Sequence, residues 1–187
     1  MRPIFTIHAG EFLVAEHIEK KFRDLNVWIP TKDTGIDLLV TNKKDQSKSV
    51  SIQVKFSRDY KPVEATDDFS RSLIAGGWLT LADNKIEQSS ADYWVFILVS
   101  HERKMKPKHI IIPPSELLDI LRKIHGKSKS YHFYPWILLI DKEEKAIQGR
   151  GLSITEKQEI VDGSASYNDR DLSAYLENWS SLEKISS

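Results

Sequence analysis

The sequence predicts an α/β protein with a mixed central sheet flanked by helices, and three observations predict it. An apolar stripe at helical spacing lies near the start, two alternating runs joined by a polar turn follow, and later apolar runs of strand length are interleaved with helical patterns. Residues 10 to 26 read as a helix, because Ala15, Ile18, Phe22 and Leu25 recur on one side. Val27, Trp28 and Ile29 then suggest a short strand ended by Pro30. Residues 36 to 41 and 50 to 57 are strand-like, and the connecting "NKKDQSKS" reads as a hairpin turn. In the second of these strands Val50, Ile52, Val54 and Phe56 alternate with Ser51, Gln53, Lys55 and Ser57, so Gln53 and Lys55 share a face.

Further along, "FSRSLIAGGWLTLAD" suggests a helix that breaks at Gly76-Gly77, within the least legible segment, 61 to 91. Residues 92 to 100 and 108 to 114 are apolar enough for central strands. "PSELLDILRKIHG" reads as a helix opened by a proline, N-capped by Ser115 and closed by Gly126. Residues 131 to 141 contain another strand or an apolar connection. "NDRDLSAYLENWSSLEK" predicts an amphipathic C-terminal helix with Leu172, Tyr175, Leu176, Trp179 and Leu182 on one side.

At 187 residues the chain is expected to form one domain, with a core over about 1 to 125 and an extension over about 126 to 187 packed on it. The absence of cysteine excludes disulfides, thiolate metal sites and a cysteine nucleophile. No signal-peptide pattern or membrane-length apolar run occurs, so a cytoplasmic protein without membrane association is expected. Net charge is zero but unevenly spread. Residues 1 to 130 carry 21 basic against 17 acidic side chains, and residues 131 to 187 carry 6 against 10. The basic surplus gathers in loops, which are candidate phosphate-facing surfaces. The six histidines show no metal-ligand spacing, and Trp78, Trp94, Trp136 and Trp179 stand in apolar settings expected to be core. No phosphate-cradling glycine loop or nucleophile elbow is present.

Against this background a few residues break pattern. Glu11 falls within the apolar stripe of the first helix, whereas Glu16 and Glu19 fall off it; a shift of helix phase would promote Glu16 in place of Glu11. Asp37 opens an apolar strand, and Gln53 and Lys55 sit together on the next. Inward carboxylates need a cation, a metal or each other. A divalent ion with a preference for oxygen would satisfy Glu11, Asp37 and the Gln53 carbonyl together, and Mg2+ commonly keeps waters and phosphate oxygens in the rest of its shell. An ammonium beside such an ion can stabilise the charge that builds during phosphodiester hydrolysis, which gives Lys55 a role.

"GID", followed sixteen positions after its aspartate by "QVK" and preceded by a helix containing "GEFLVAEHI", resembles the PD-(D/E)xK nuclease superfamily. That group includes restriction endonucleases and archaeal Holliday junction resolvases, and the likeness extends to short bacterial restriction-like proteins. The resemblance covers about the first hundred residues. It implies a restriction-endonuclease-like αβββαβ core and a Mg2+-dependent endonuclease on DNA, with Mn2+ as a possible substitute. Asp37 matches the motif aspartate, Gln53 the acidic or glutamine position, Lys55 the lysine and Glu11 the helix acid. Ile36 stands in place of the motif proline, and Gln53 replaces the second acid, which puts more weight on Glu11. Lys43, Lys44, Ser57, Arg58 and Lys61 are candidate DNA contacts. A homodimer is expected if both strands of a duplex are cut. The alternative is a nuclease-fold module that binds DNA or a protein partner without catalysis.

Overall fold

The computed structural model describes residues 9–32, 34–57, 60–62, 64–99, 106–164 and 166–187. Its first helix, α1 (Ala9–Lys21), buries Gly10, Val14 and Ile18 along one stripe. It ends at Lys21 rather than 26, because Leu25 is taken by β1 (Leu25–Trp28), where it pairs with Asn42 of β2 (Leu38–Asn42). β2 returns antiparallel to β3 (Ser49–Ser57), so the expected hairpin is present.

From β3 the chain crosses over to a parallel neighbour, a connection that needs a dozen residues or more. It holds α2 (Asp67–Ser72), β4 (Leu73–Gly76), β5 (Leu79–Ala82) and α3 (Asp83–Glu87) before β6 (Tyr93–Leu98). The helix expected over this stretch therefore stops at Ser72, and Leu73–Gly76 is a strand. Gly77 then passes so close to the neighbouring chain that an added Cβ would lie 2.7 Å from a Leu98 methyl and 3.1 Å from the Ser57 Cβ. Only glycine fits this approach without movement of those neighbours.

β6 pairs antiparallel with β7 (Lys108–Ile112), completing a five-stranded mixed sheet of order β1-β2-β3-β6-β7. α4 (Pro114–His125) follows. Its N-cap is Pro113, with Pro114 and Ser115 in the first turn, so Ser115 is not the cap; Gly126 (φ 71°) closes the helix as expected. β8 (Ser130–Phe133) pairs with β5, while β9 (Pro135–Ile140) and β10 (Glu143–Gln148) form a second antiparallel sheet with β4. α5 (Ile154–Val161) opens on a Ser153–Glu156 capping box.

The C-terminal stretch differs most from expectation. It forms two 3-10 turns, Asn168–Arg170 and Ser173–Tyr175, and a short α6 (Ser180–Ser186). Asp171 and Leu176 form isolated β-bridges to Ile147 and Ile110, which a continuous helix could not offer. The apolar residues serve two cores: Leu172 packs with β6 and α4, whereas Trp179 and Leu182 pack with α1. A helical repeat in the sequence thus arises from two separate demands.

The central sheet is covered on both sides. α1 packs on the face carrying Val50, Ile52, Val54, Val95, Ile97 and Ile111. The other face, with Trp94, Phe96, Leu98, Ile110 and Ile112, packs on Leu117, Leu118 and Leu121 of α4 and on Phe133 and Ile137. Among the described residues, no helix is long and apolar enough to cross a membrane.

Candidate functional site

Strand register decides which expected residues meet. Leu38 pairs with Ile52 and both face α1, so Asp37 and Gln53, one step along each strand, face the other way. Gln53 and Lys55 are in register with Trp94 and Phe96 of β6, on that same side. Gln53 and Lys55 therefore share one face, Asp37 stands just ahead of β2 at the open edge of β3 beside them, and all three are half-buried.

β2 begins at Leu38, and beyond it the edge of β3 is open on that side. The Asp37 carboxylate fills the break: its Oδ2 accepts the Val54 N–H at 2.7 Å, while the Asp37 N–H donates to the Ile52 carbonyl at 2.9 Å. One oxygen is thus committed to the sheet, leaving the other for a second partner. Gly35 (φ 84°) supplies the left-handed turn that leads into this position.

Gln53 and Lys55 line a cleft of about 730 Å³ together with Thr34, Trp78, Lys85 and Trp94. The Lys55 ammonium lies 5.1 Å from the Trp94 ring centroid, a cation–π contact that orients it. The lining includes two lysines and, among the described residues, no carboxylate. Trp78 is 52% exposed at the rim, whereas Trp94, Trp136 and Trp179 are buried as expected. Ser57, expected to contact phosphate, is buried instead: its Oγ accepts the Trp78 N–H at 2.8 Å and donates to the Trp78 carbonyl at 3.3 Å. It holds the tryptophan loop in place.

Glu11 lies on α1, across the sheet from Gln53 and Lys55, and does not line the cleft. It is half-buried at the helix N-terminus, where Gly10 packs against Phe56 and Val54. Glu16 pairs with Lys20 at 2.7 Å on the outer side of the helix. Lys43 and Lys44 belong to the turn at the far end of β2 from Asp37, and the Lys43 ammonium donates to the Arg23 carbonyl. Lys61 is exposed beside Tyr60, and Arg58 lies outside the described residues. Much of the basic surplus is spent in pairs: Lys108 with Glu144 at 2.6 Å, Lys123 with Asp169 at 2.8 Å, and Arg122 with Asp83 at 2.7 Å.

That last pair shapes the cleft. β5 and α3 form its outer wall, and Asp83 at the start of α3 receives both Nε (3.0 Å) and Nη2 (2.7 Å) of Arg122 from α4 and the Tyr131 hydroxyl (2.9 Å) from β8. The Arg122 hydrogen bonds hold the Asp83 carboxyl below its ordinary 3.8, against the cost of burial and with help from Tyr131. A depressed carboxyl pKa adds stability that is complete above the unfolded value and is lost as pH falls through the folded one. Asp83→Asn is therefore expected to be less stable than the parent at neutral pH. The difference between urea midpoints should narrow as pH is lowered below about 4. A pH-independent difference would remove the ion pair from this role.

A second cluster lies on the α1 face. His17 of α1, His109 of β7 and Glu177 bring one ligand atom each within 4.8 Å of one another. Glu177 adopts φ 50° and accepts the His109 N–H at 2.7 Å, the His109 Nδ1 lies 3.1 Å from the same oxygen, and Trp179 Nε1–H donates to the other at 3.2 Å. Burial pushes the Glu177 carboxyl up, but the hydrogen bonds and charge of His109, with Trp179, more than reverse this and bring it down to about 2. His17 stacks on Trp179 with 5.0 Å between centroids, and its Nε2 is buried with no hydrogen-bond partner among the described residues. Burial, then the neighbouring His109, lower the His17 pKa. Its three residues are far apart in sequence, so no local spacing betrays the cluster.

No family model, curated protein or solved structure matches the chain.

Proposed function

We propose that the protein is a metal-dependent endonuclease that hydrolyses DNA phosphodiester bonds in the cleft beside Asp37, Gln53 and Lys55. The observation that carries this reading is that Gln53 and Lys55 line one open cleft with Lys85, while the Asp37 carboxylate fills the strand edge beside them. The likeness of "GID" and "QVK" to the PD-(D/E)xK pattern supports it, as does the run α1-β1-β2-β3 ahead of the crossover to β6.

The donor set suits a hard cation that takes most of its ligands from water and phosphate. Asp37, through its second oxygen, and Gln53, through its amide oxygen, would hold Mg2+ or Mn2+. Glu11, on the far side of the sheet, would join them as a third donor only through the open edge of β3, since the N-terminus of α1 lies at the level where β3 loses its β2 neighbour. Such an ion supplies Lewis acidity and lowers the pKa of bound water. Lys55, oriented over Trp94, places positive charge where a phosphoryl oxygen gains negative charge. Lys85 adds a phosphate contact across the cleft, and the exposed ring of Trp78 offers a stacking surface for an unpaired base. Two copies of the chain, each with one cleft, would cut both strands of a duplex.

A second reading has its own support. The cleft lining contains no carboxylate among the described residues and position 53 is an amide, which favours a module that binds DNA without cutting it. Plasmid, branched and single-stranded DNA incubated with Mg2+, Mn2+ or EDTA separate the two. Metal-dependent cleavage by the parent and its loss in Asp37→Asn are expected. The amide oxygen in that variant still accepts the Val54 N–H, so little stability should be lost; Asp37→Ala would strand a buried donor at about 1–3 kcal/mol. DNA binding that is indifferent to EDTA, with no cleavage of any substrate, would establish the binding module instead.

A further inference from the structure

We propose that His17, His109 and Glu177 form a second metal site, selective for zinc-class ions, that ties the C-terminal segment to α1 and β7. It is separate from the DNA cleft. His109 lies on the same face as Ile111, the face covered by α1, whereas Gln53 and Lys55 point to the opposite one. On α1 itself, Glu11 and His17 are six residues apart, which at about 100° per residue places them some 120° apart around the helix axis. Glu11 and the cleft therefore cannot draw on this cluster.

The chemistry of the donors sets the metal class. Two imidazole nitrogens and one carboxylate suit Zn2+, Co2+ or Ni2+, whereas Mg2+ prefers oxygen ligands. A tetrahedral ion with bonds of about 2.0–2.1 Å brings its ligands to roughly 3.3 Å apart. The three ligand atoms already lie within 4.8 Å, and the His109 Nδ1 and Glu177 Oε1 are 3.1 Å apart, so small side-chain rotations close the set. Three protein ligands leave a fourth position for water.

Three further features fit a metal better than a plain hydrogen-bonded cluster. The buried Nε2 of His17 has no partner among the described residues, although protein interiors rarely leave such an atom unsatisfied. Its imidazole lies 4.7 Å from that of His109 between centroids, which brings the two rings within reach of a single ion. Glu177 is held by the His109 N–H and the Trp179 indole, the outer hydrogen bonding that usually orients a ligating carboxylate.

The linkage would be structural. Glu177 sits between the bridge residue Leu176 and Trp179, which packs against α1, so one ion would join three distant parts of the chain.

The test uses untagged, metal-stripped full-length protein titrated with Co2+. We expect one equivalent to bind with the intense visible bands of a tetrahedral nitrogen-oxygen site, Zn2+ to displace it, and Zn2+ to raise the thermal midpoint. His17→Gln and Glu177→Gln, checked for native folding by circular dichroism, should each lose at least tenfold in Co2+ affinity and show no Zn2+-dependent rise. His125→Gln is the control and should bind as the parent does. Absence of a one-equivalent band in the parent, or its retention in folded His17→Gln, overturns the site. DNA cleavage is not measured, so failure here leaves the cleft assignment untouched.

Discussion

Lys55→Ala is expected to slow DNA cleavage by about a hundred- to a thousand-fold, the usual cost of removing one preorganised charge from a transition state. Stability should hardly change. The ammonium end of Lys55 faces the cleft and rests on Trp94, so truncation opens no void within the core. The loss should appear in kcat rather than in DNA affinity, because Lys85 still offers a phosphate contact. Lys55→Arg keeps the charge but replaces a compact ammonium with a planar fork, and should recover binding more fully than turnover. Single-turnover cleavage with enzyme in excess distinguishes these effects. Unchanged turnover in Lys55→Ala would detach the lysine from the chemistry, and with it the main reason for reading the cleft as catalytic.

The site residues that could be read in the sequence are those governed by a local period. Alternation along 50 to 57 set Gln53 and Lys55 on one face, and the same two-residue logic placed Asp37 beside them once the hairpin register was known. Helical phase separated Glu16 from the stripe but did not settle Glu11, because phase tells which side of α1 is inward and not which face of the sheet that helix covers. Trp78 and Lys85 had no such signal. They reach the cleft because β5 pairs with β8 and because Asp83 is bound to Arg122, contacts made across 39 or more residues. The C-terminal region misled for the opposite reason: its apolar spacing was helical, but tertiary bridges at Asp171 and Leu176 outweighed local propensity. Ser57 alternates onto the face of Lys55 as the sequence implied, yet the Trp78 loop folds over it and removes it from solvent.

Phe96→Ala is expected to cost about 3–5 kcal/mol, a large share of the stability of an ordinary domain. Phe96 is fully buried in the centre of β6, with its ring 4.8 Å from that of Phe133 and 6.2 Å from that of Trp94. The β-strand around it is flanked by β3 and β7, so neither backbone can move in to fill the space. Phe96 is also in register with Lys55, beside it on the same face of the sheet. Its ring therefore supports Trp94, on which the lysine rests. Phe96→Leu keeps most of the volume and should cost under about 2 kcal/mol. Because Trp94 loses an aromatic neighbour in that milder variant, cleavage should fall further than the small stability change alone would explain. Urea unfolding compares the two, with an unchanged m-value showing that the denatured state is the same. A Phe96→Ala midpoint close to that of the parent would mean that this core collapses around the missing ring, and that the support beside Lys55 is less rigid than its packing indicates.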